Sequence, residues 1–153
     1  MGSNWIDPII YNQITKLLPI PCVDLVIVYK GKFLLGKRIN EPAKGLWFIL
    51  GGRILKNETL ENAAIRKAKE EVGIKIGKKD MKFLATKETM FRGKKSGDRH
   101  TINSIFVVRL RKFNEIDLAK ADKNQNSEFG WFSKADKKWH FYVKDVLKLA
   151  GFR

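Results

Sequence analysis

Residues 52 to 74 read GRILKNETLENAAIRKAKEEVGI, a stretch that sets chemically distinct residues at fixed intervals along a loop and helix. It holds a glycine, Gly52, a lone acid, Glu58, an arginine, Arg66, then the acid pair Glu70 and Glu71 ahead of Gly73. Thr59 suits a helix N-cap because its hydroxyl can accept from the first turn. Leu60, Ala63, Ala64, Ala68 and Val72 recur every three or four residues, which predicts one narrow apolar helix face for packing on a sheet. Gly73 supplies the stop. On the opposite face Lys67 stands three residues before Glu70 and four before Glu71, within reach of either. Carboxylate oxygens gathered in this way suit a hard divalent cation that keeps part of its water shell while bridging to a phosphate. Charge pairs at this spacing are also routine on solvated helices, and the spacing alone does not separate the two readings.

The stretch resembles the Nudix box, G-x5-E-x7-R-E-U-x-E-E-x-G-U with U aliphatic, through Gly52, Glu58, Arg66, Glu70, Glu71, Gly73 and Ile74. Lys67 replaces one fixed glutamate. Immediately upstream, FLLGKRINEPAKGLWFILGGR from Phe33 to Arg53 is similar to the matching segment of the GDP-mannose mannosyl hydrolases, a Nudix branch that releases a sugar from a nucleoside diphosphate. The shared pieces are Gly36 to Arg38, Asn40, Pro42, Gly45, Trp47-Phe48 and Gly51 to Arg53, while Leu50 replaces the usual proline. The resemblance implies a Nudix-like α/β/α sandwich with a mixed β-sheet between helices. It also implies Mg²⁺, with Mn²⁺ as the substitute, held by Glu71 first, with Glu70, Glu58 and Gly52 secondary.

The same likeness assigns roles in the reaction. Arg38 and Arg53 are expected at the substrate's phosphates, where guanidinium groups bind oxygen pairs and stabilise a leaving diphosphate. Asp24 interrupts an apolar strand and is expected beside the substrate or on an edge, since a carboxylate in such a run must be paired, exposed or functional. The water-activating histidine of the mannosyl hydrolases has no counterpart in KNQNSEFGW, residues 123 to 131. Asn126 stands nearest its place, and Glu128 is the acid in that loop able to act as base. His100 is the next choice, and His140, between Trp139 and Phe141, reads as a packing residue.

Outward from these segments, 153 residues with 44% hydrophobic content suit a single domain over 1–153. One cysteine, Cys22, leaves no intramolecular disulfide and points to a reducing, cytoplasmic setting. No apolar run is long enough for a membrane span, because Pro19, Pro21 and Asp24 interrupt the best one. Thirty-one Lys and Arg against 16 Asp and Glu give a charge of +15, which draws anions of any kind. The basic residues are scattered and make no nucleic-acid module, so a nucleic-acid partner ranks below a nucleotide substrate. A homodimer is the expected assembly.

The remaining elements are expected as a helix over 4–18 with Ile6, Ile9, Ile10, Ile14 and Leu17 as its core stripe, and strands over 23–29 and 32–38 around a turn at Lys30-Gly31. Further strands are expected over 47–50, 83–91, 103–112 and 128–132, and a last helix within 133–149. The reading is a Mg²⁺-dependent hydrolase of nucleoside diphosphate derivatives, a GDP-sugar first, with water attacking the sugar's anomeric carbon. The alternatives are attack at phosphorus on nucleoside diphosphate sugars or nucleoside triphosphates, and a nucleotide- or RNA-binding module with a degenerate site.

Overall fold

The computed structural model describes residues 5–93, 97–112, 117, 121 and 124–153. Residue 4 of the expected first helix, 94–96 of the polar loop before His100 and 123 of the late loop lie outside the described residues. The chain order is α1 (Pro8–Leu17), β1 (Ile20–Tyr29), β2 (Lys32–Arg38), β3 (Trp47–Phe48), β4 (Leu50–Arg53), α2 (Leu60–Val72), a 3₁₀ turn (Lys78–Asp80), β5 (Met81–Phe91), β6 (Arg99–Arg109), β7 (Asn126–Phe132) and α3 (Phe141–Leu149).

Alternation along β1 sorts its side chains onto two faces of one mixed sheet. Val23, Leu25 and Ile27 pack with Ala63, Ala64, Ala68 and Val72 of α2, whereas Val26 and Val28 pack with Tyr142, Val143, Val146 and Leu147 of α3. The result is the expected α/β/α sandwich, a mixed sheet between helices. Strands run in the order β3-β2-β1-β6-β5, with β4 added to β1 and β7 to β2. Only the β1–β6 pairing is parallel among those described. β1 is thus flanked by both the glycine strand β4 and β6, which brings the box, the first strand and β6 to one end of the sheet.

Several expectations need correction. The first helix starts at Pro8, because Asp7 caps it by accepting from the amides of Ile9 and Ile10 and Pro8 occupies the first helical position. Its expected core stripe is largely in solvent: Ile9 is 72%, Ile10 52% and Leu17 79% exposed. Docking runs instead through Tyr11 and Thr15, one turn apart. Tyr11 lies under the Arg53 guanidinium at 5.6 Å, and Thr15 accepts from Arg99 at 2.9 Å. Leu60 is likewise exposed, leaving Ala63, Ala64, Ala68 and Val72 to hold α2. β6 begins at Arg99 rather than 103, so His100 belongs to a strand, and β7 begins at Asn126 rather than 128.

Candidate functional site

Helix α2 begins as expected, with Thr59 accepting from Asn62 N at 3.2 Å, and ends at Gly73 in the left-handed region with φ 68°. Glu58 precedes it and is fully engaged by Arg66. Arg66 Nε meets Glu58 Oε1 at 2.8 Å, Nη2 meets Oε2 at 2.9 Å, and Nη2 also donates to the Arg53 carbonyl at 2.9 Å. Leu55 N donates to Glu58 Oε2 at 3.0 Å, so the loop between β4 and α2 is clamped from both ends. The Arg66 hydrogen bonds hold Glu58 below the usual carboxylate range despite partial burial. Glu58, expected as a metal carboxylate, therefore stands as the partner of Arg66.

Next to Arg66 in the chain, Lys67 sits between the two acids of the pair, 2.9 Å from Glu71 Oε1 and 3.2 Å from Glu70 Oε2. Burial works against its charge, but Glu71 and then Glu70 outweigh it and push the ammonium's pKa up. Glu71 is 2% exposed, and its other oxygen accepts from Asn126 Nδ2 at 2.9 Å. Asn126 reaches this acid because Gly36 leaves it room: a Cβ at Gly36 would come within 2.5 Å of Asn126 Oδ1.

The β2–β7 register explains why Asn126 and Glu128 part company. Arg38 faces Asn126, but the next pair is Lys37 with Glu128, so Ser127 is an extra residue in a bulge. Without the bulge, residues 126 and 128 would share a face. With it, Asn126 points to Glu71, whereas Glu128 pairs with Lys37 at 3.3 Å, over half exposed. Glu128 does not line the cavity described next.

That cavity, about 500 Å³, opens where β1, β4 and β6 meet the second half of α2 and the start of α3. Its lining includes Arg38, Gly52, Arg53, Arg66, Lys67 and Glu70. It also includes Asp24, Thr89, Phe91, His100, Thr101, Asn103 and Tyr142. Arg38 donates to the Pro42 carbonyl at 2.8 Å, and Asp24 and Glu71 both lie close enough to act on its charge. Asp24 is buried, opposite Gly51 in the β1–β4 register, where a Cβ would come 2.1 Å from the Val23 carbonyl. The Tyr142 hydroxyl donates to Asp24 Oδ2. Burial pushes the Asp24 carboxyl up to about 7, against the Tyr142 bond and Arg38. Burial and Asp24 together push the Tyr142 phenol far up; the Asn103 amide opposes that rise without completing a hydrogen bond from its Nδ2.

Tyr142, Thr89, Thr101 and Asn103 carry no motif that reading along the chain could have flagged. Cys22 also borders the cavity, and burial raises its thiol to about 12, which keeps it neutral and inert. His140 caps α3 by accepting from Tyr142 N and packs on Phe48 and Phe91, in keeping with a packing role.

The NUDIX domain model matches residues 19–146, which holds every residue lining this cavity except Tyr11. The chain belongs to the NUDIX domain family. Over 66 residues it is 48% identical to the low-salt glycan biosynthesis protein Agl8 of Haloferax volcanii, covering 43% of this chain and 42% of that protein. Over 58 residues it is 43% identical to an ADP-ribose pyrophosphatase of Methanocaldococcus jannaschii, covering 38% and 34% of the two chains. The matched segments thus span less than half the length of these relatives. The MutT NUDIX hydrolase of Burkholderia pseudomallei superposes with a TM-score of 0.71 at 21% identity, over 86% of this chain and 98% of that one. The NUDIX domain of Shewanella oneidensis NrtR, solved with ADP-ribose, gives 0.68 at 21% identity over 95% and 92%. These two likenesses establish a shared Nudix fold.

Nudix hydrolases generally use Mg²⁺ or Mn²⁺, and the donor set of this chain is compatible with such an ion on one condition. Among the described residues no three or more acids, histidines or cysteines gather as a cage. Mg²⁺ does not require one, since it is commonly held by one or two carboxylates together with substrate phosphates and water. Glu70 and Glu71 would be that pair, and the Lys67 ammonium already stands between them as a cation. The condition is that this ammonium gives way.

Proposed function

We propose that this Nudix chain hydrolyses a nucleoside diphosphate derivative with Mg²⁺ or Mn²⁺ bound at Glu71 and Glu70, backed by Gly52, with a GDP-sugar as the first substrate class. The observation that carries the reading is the placement of Arg38 and Arg53 on the cavity wall that also holds Glu70 and Lys67. Guanidinium groups there would bind the diphosphate oxygens and stabilise charge as the diphosphate leaves. The bound ion would supply further neutralisation of that diphosphate.

For attack at the anomeric carbon, a water oxygen forms the new bond to carbon, the carbon–oxygen bond to phosphate breaks, and its electron pair stays on the diphosphate. The water's proton needs an acceptor inside the cavity. Asp24 lines it, lies beside Arg38 and titrates near 7, a match to neutral operating pH. We therefore assign the base to Asp24, with His100, also on the cavity wall, as the next candidate.

A second reading, attack at phosphorus, is favoured by the similarity to a pyrophosphatase acting on ADP-ribose. The two are separated by products of GDP-mannose and ADP-ribose incubated with Mg²⁺. Free sugar with nucleoside diphosphate marks carbon attack, and sugar phosphate with nucleoside monophosphate marks phosphorus attack. No turnover of either substrate, or of nucleoside triphosphates, would leave a binding module instead. Among the described residues no helix is long and apolar enough to cross a membrane. A cytoplasmic homodimer completes the reading: the lone Cys22 is buried and unpaired with any other cysteine, and exposed Ile9, Ile10 and Leu17 offer apolar surface to a second copy.

A further inference from the structure

The seat of Lys67 is built in detail. Its side chain is one-tenth exposed, its ammonium is shared by two carboxylates, and the deeper acid, Glu71, is fixed from behind by Asn126. Gly52 leaves space for the stem, since a Cβ there would come within 2.8 Å of Lys67 Cε and 3.1 Å of Nζ. A glutamate at position 67 would add a third negative charge at this place. A lysine instead sets one positive charge against the two that remain.

We propose that Lys67 is an exchangeable internal cation: its ammonium occupies the Glu70–Glu71 seat in the free protein, and a divalent ion binds there only by displacing it. The inference rests on the reading above, that the ion uses these carboxylates. Two cations cannot share the seat, because like charges a few ångströms apart repel strongly where water is scarce. A lysine suits exchange, being a compact charge on a flexible four-carbon stem. Lys67 also lines the cavity with Arg38 and Arg53, so an ammonium leaving the carboxylates has phosphate oxygens to meet when a diphosphate is bound there. Without the diphosphate, displacement would strand the ammonium. Ion and diphosphate therefore assist each other's binding, and the coupling is reciprocal. Replacement of the usual glutamate thus turns a resident metal seat into one loaded together with substrate.

The test is Mn²⁺ alone, titrated into nucleotide-free protein and followed by electron paramagnetic resonance of the free ion. Lys67→Gln is expected to bind Mn²⁺ at least tenfold more tightly than wild type, and adding Glu71→Gln to it is expected to abolish the gain. Equal or weaker binding by Lys67→Gln, with binding still lost in Glu71→Gln, would overturn the exchange and leave the proposed metal seat standing. Retention of tight binding in the double variant would place the ion elsewhere and overturn both. Because Lys67→Gln leaves two carboxylates facing each other and can fail to fold, a wild-type measurement accompanies it. The side-chain ¹⁵N resonance of Lys67 is expected to shift as Mg²⁺ saturates the amide signals of Glu70 and Glu71, and a resonance that stays fixed through that saturation would overturn the proposal.

Discussion

Asn126 Nδ2 donates to Glu71 Oε2 at 2.9 Å, tying the first residue of β7 to the last turn of α2 across 55 positions of chain. Both groups are buried, so the bond cannot be exchanged for one to water at no cost. Asn126→Ala is expected to destabilise the fold by about 1.5–3 kcal/mol, the range for a bond to a charged group. Asn126→Asp is expected to cost more, because it sets a second carboxylate against Glu71. Urea unfolding at pH 7 measures both, and an Asp variant as stable as the Ala variant would count against a charged Glu71 at this contact.

The Arg66–Glu58 clamp is expected to depend on the shape of the guanidinium as well as its charge. Lysine can meet one oxygen of Glu58 as a point charge, but it cannot span both and also hold the Arg53 carbonyl. Arg66→Lys should therefore cost about 1–3 kcal/mol, as for hydrogen bonds lost at a partly buried charged site. In a double-mutant cycle with Glu58→Gln, the coupling is expected to exceed about 0.5 kcal/mol, as for residues in one network. Strict additivity would show that the clamp contributes nothing as a pair.

Asp24 makes stability depend on pH in a direction opposite to that of most carboxyls. Its folded pKa is about 7 against an ordinary 3.8, because burial penalises the charged form. Between those values the unfolded chain has lost this proton and the folded chain keeps it, so stability falls as pH rises and levels off above about 7. A gap of roughly three pKa units corresponds to about 4 kcal/mol at most. Asp24→Asn, neutral at every pH and still able to accept from Tyr142, should match wild type in acid and exceed it in Tm at pH 8. A constant difference between pH 5 and 8 would mean that Asp24 titrates in its ordinary range.

How much of this was legible in the chain follows from how local each feature is. The box helix, its Thr59 cap, its Gly73 stop and the reach of Lys67 to both acids depend on spacing within one helix, and all were readable. Gly36 and Gly51 were readable as motif letters, but their reason is tertiary: they leave space for Asn126 and Asp24. The stripe of α1 misled because periodicity tells which residues share a face and leaves open which face docks. Tyr11 and Thr15 decide that through Arg53 and Arg99, which come from β4 and β6. Tyr142 was invisible for the same reason, lying 118 positions from its partner Asp24.

The separation of Asn126 from Glu128 by the β7 bulge bears directly on the base. Glu128 lies on the outer face with Lys37, so Glu128→Gln is expected to leave kcat within about twofold, the size of a lost surface pair rather than of a lost proton acceptor. Asp24→Asn is expected to lower kcat by about 10²–10⁴-fold, the range for removal of a general base, with a much smaller effect on KM. In wild type the turnover should rise with pH through about 7, since the ionised carboxylate is the active form and Asp24 loses its proton there. That limb should disappear in Asp24→Asn, leaving slow turnover that is flat across it. If Glu128→Gln abolishes turnover instead, the outer face of β7 takes part in the reaction and the assignment to Asp24 fails. If the limb survives Asp24→Asn and is lost in His100→Gln, the proton goes to the imidazole on the same cavity wall.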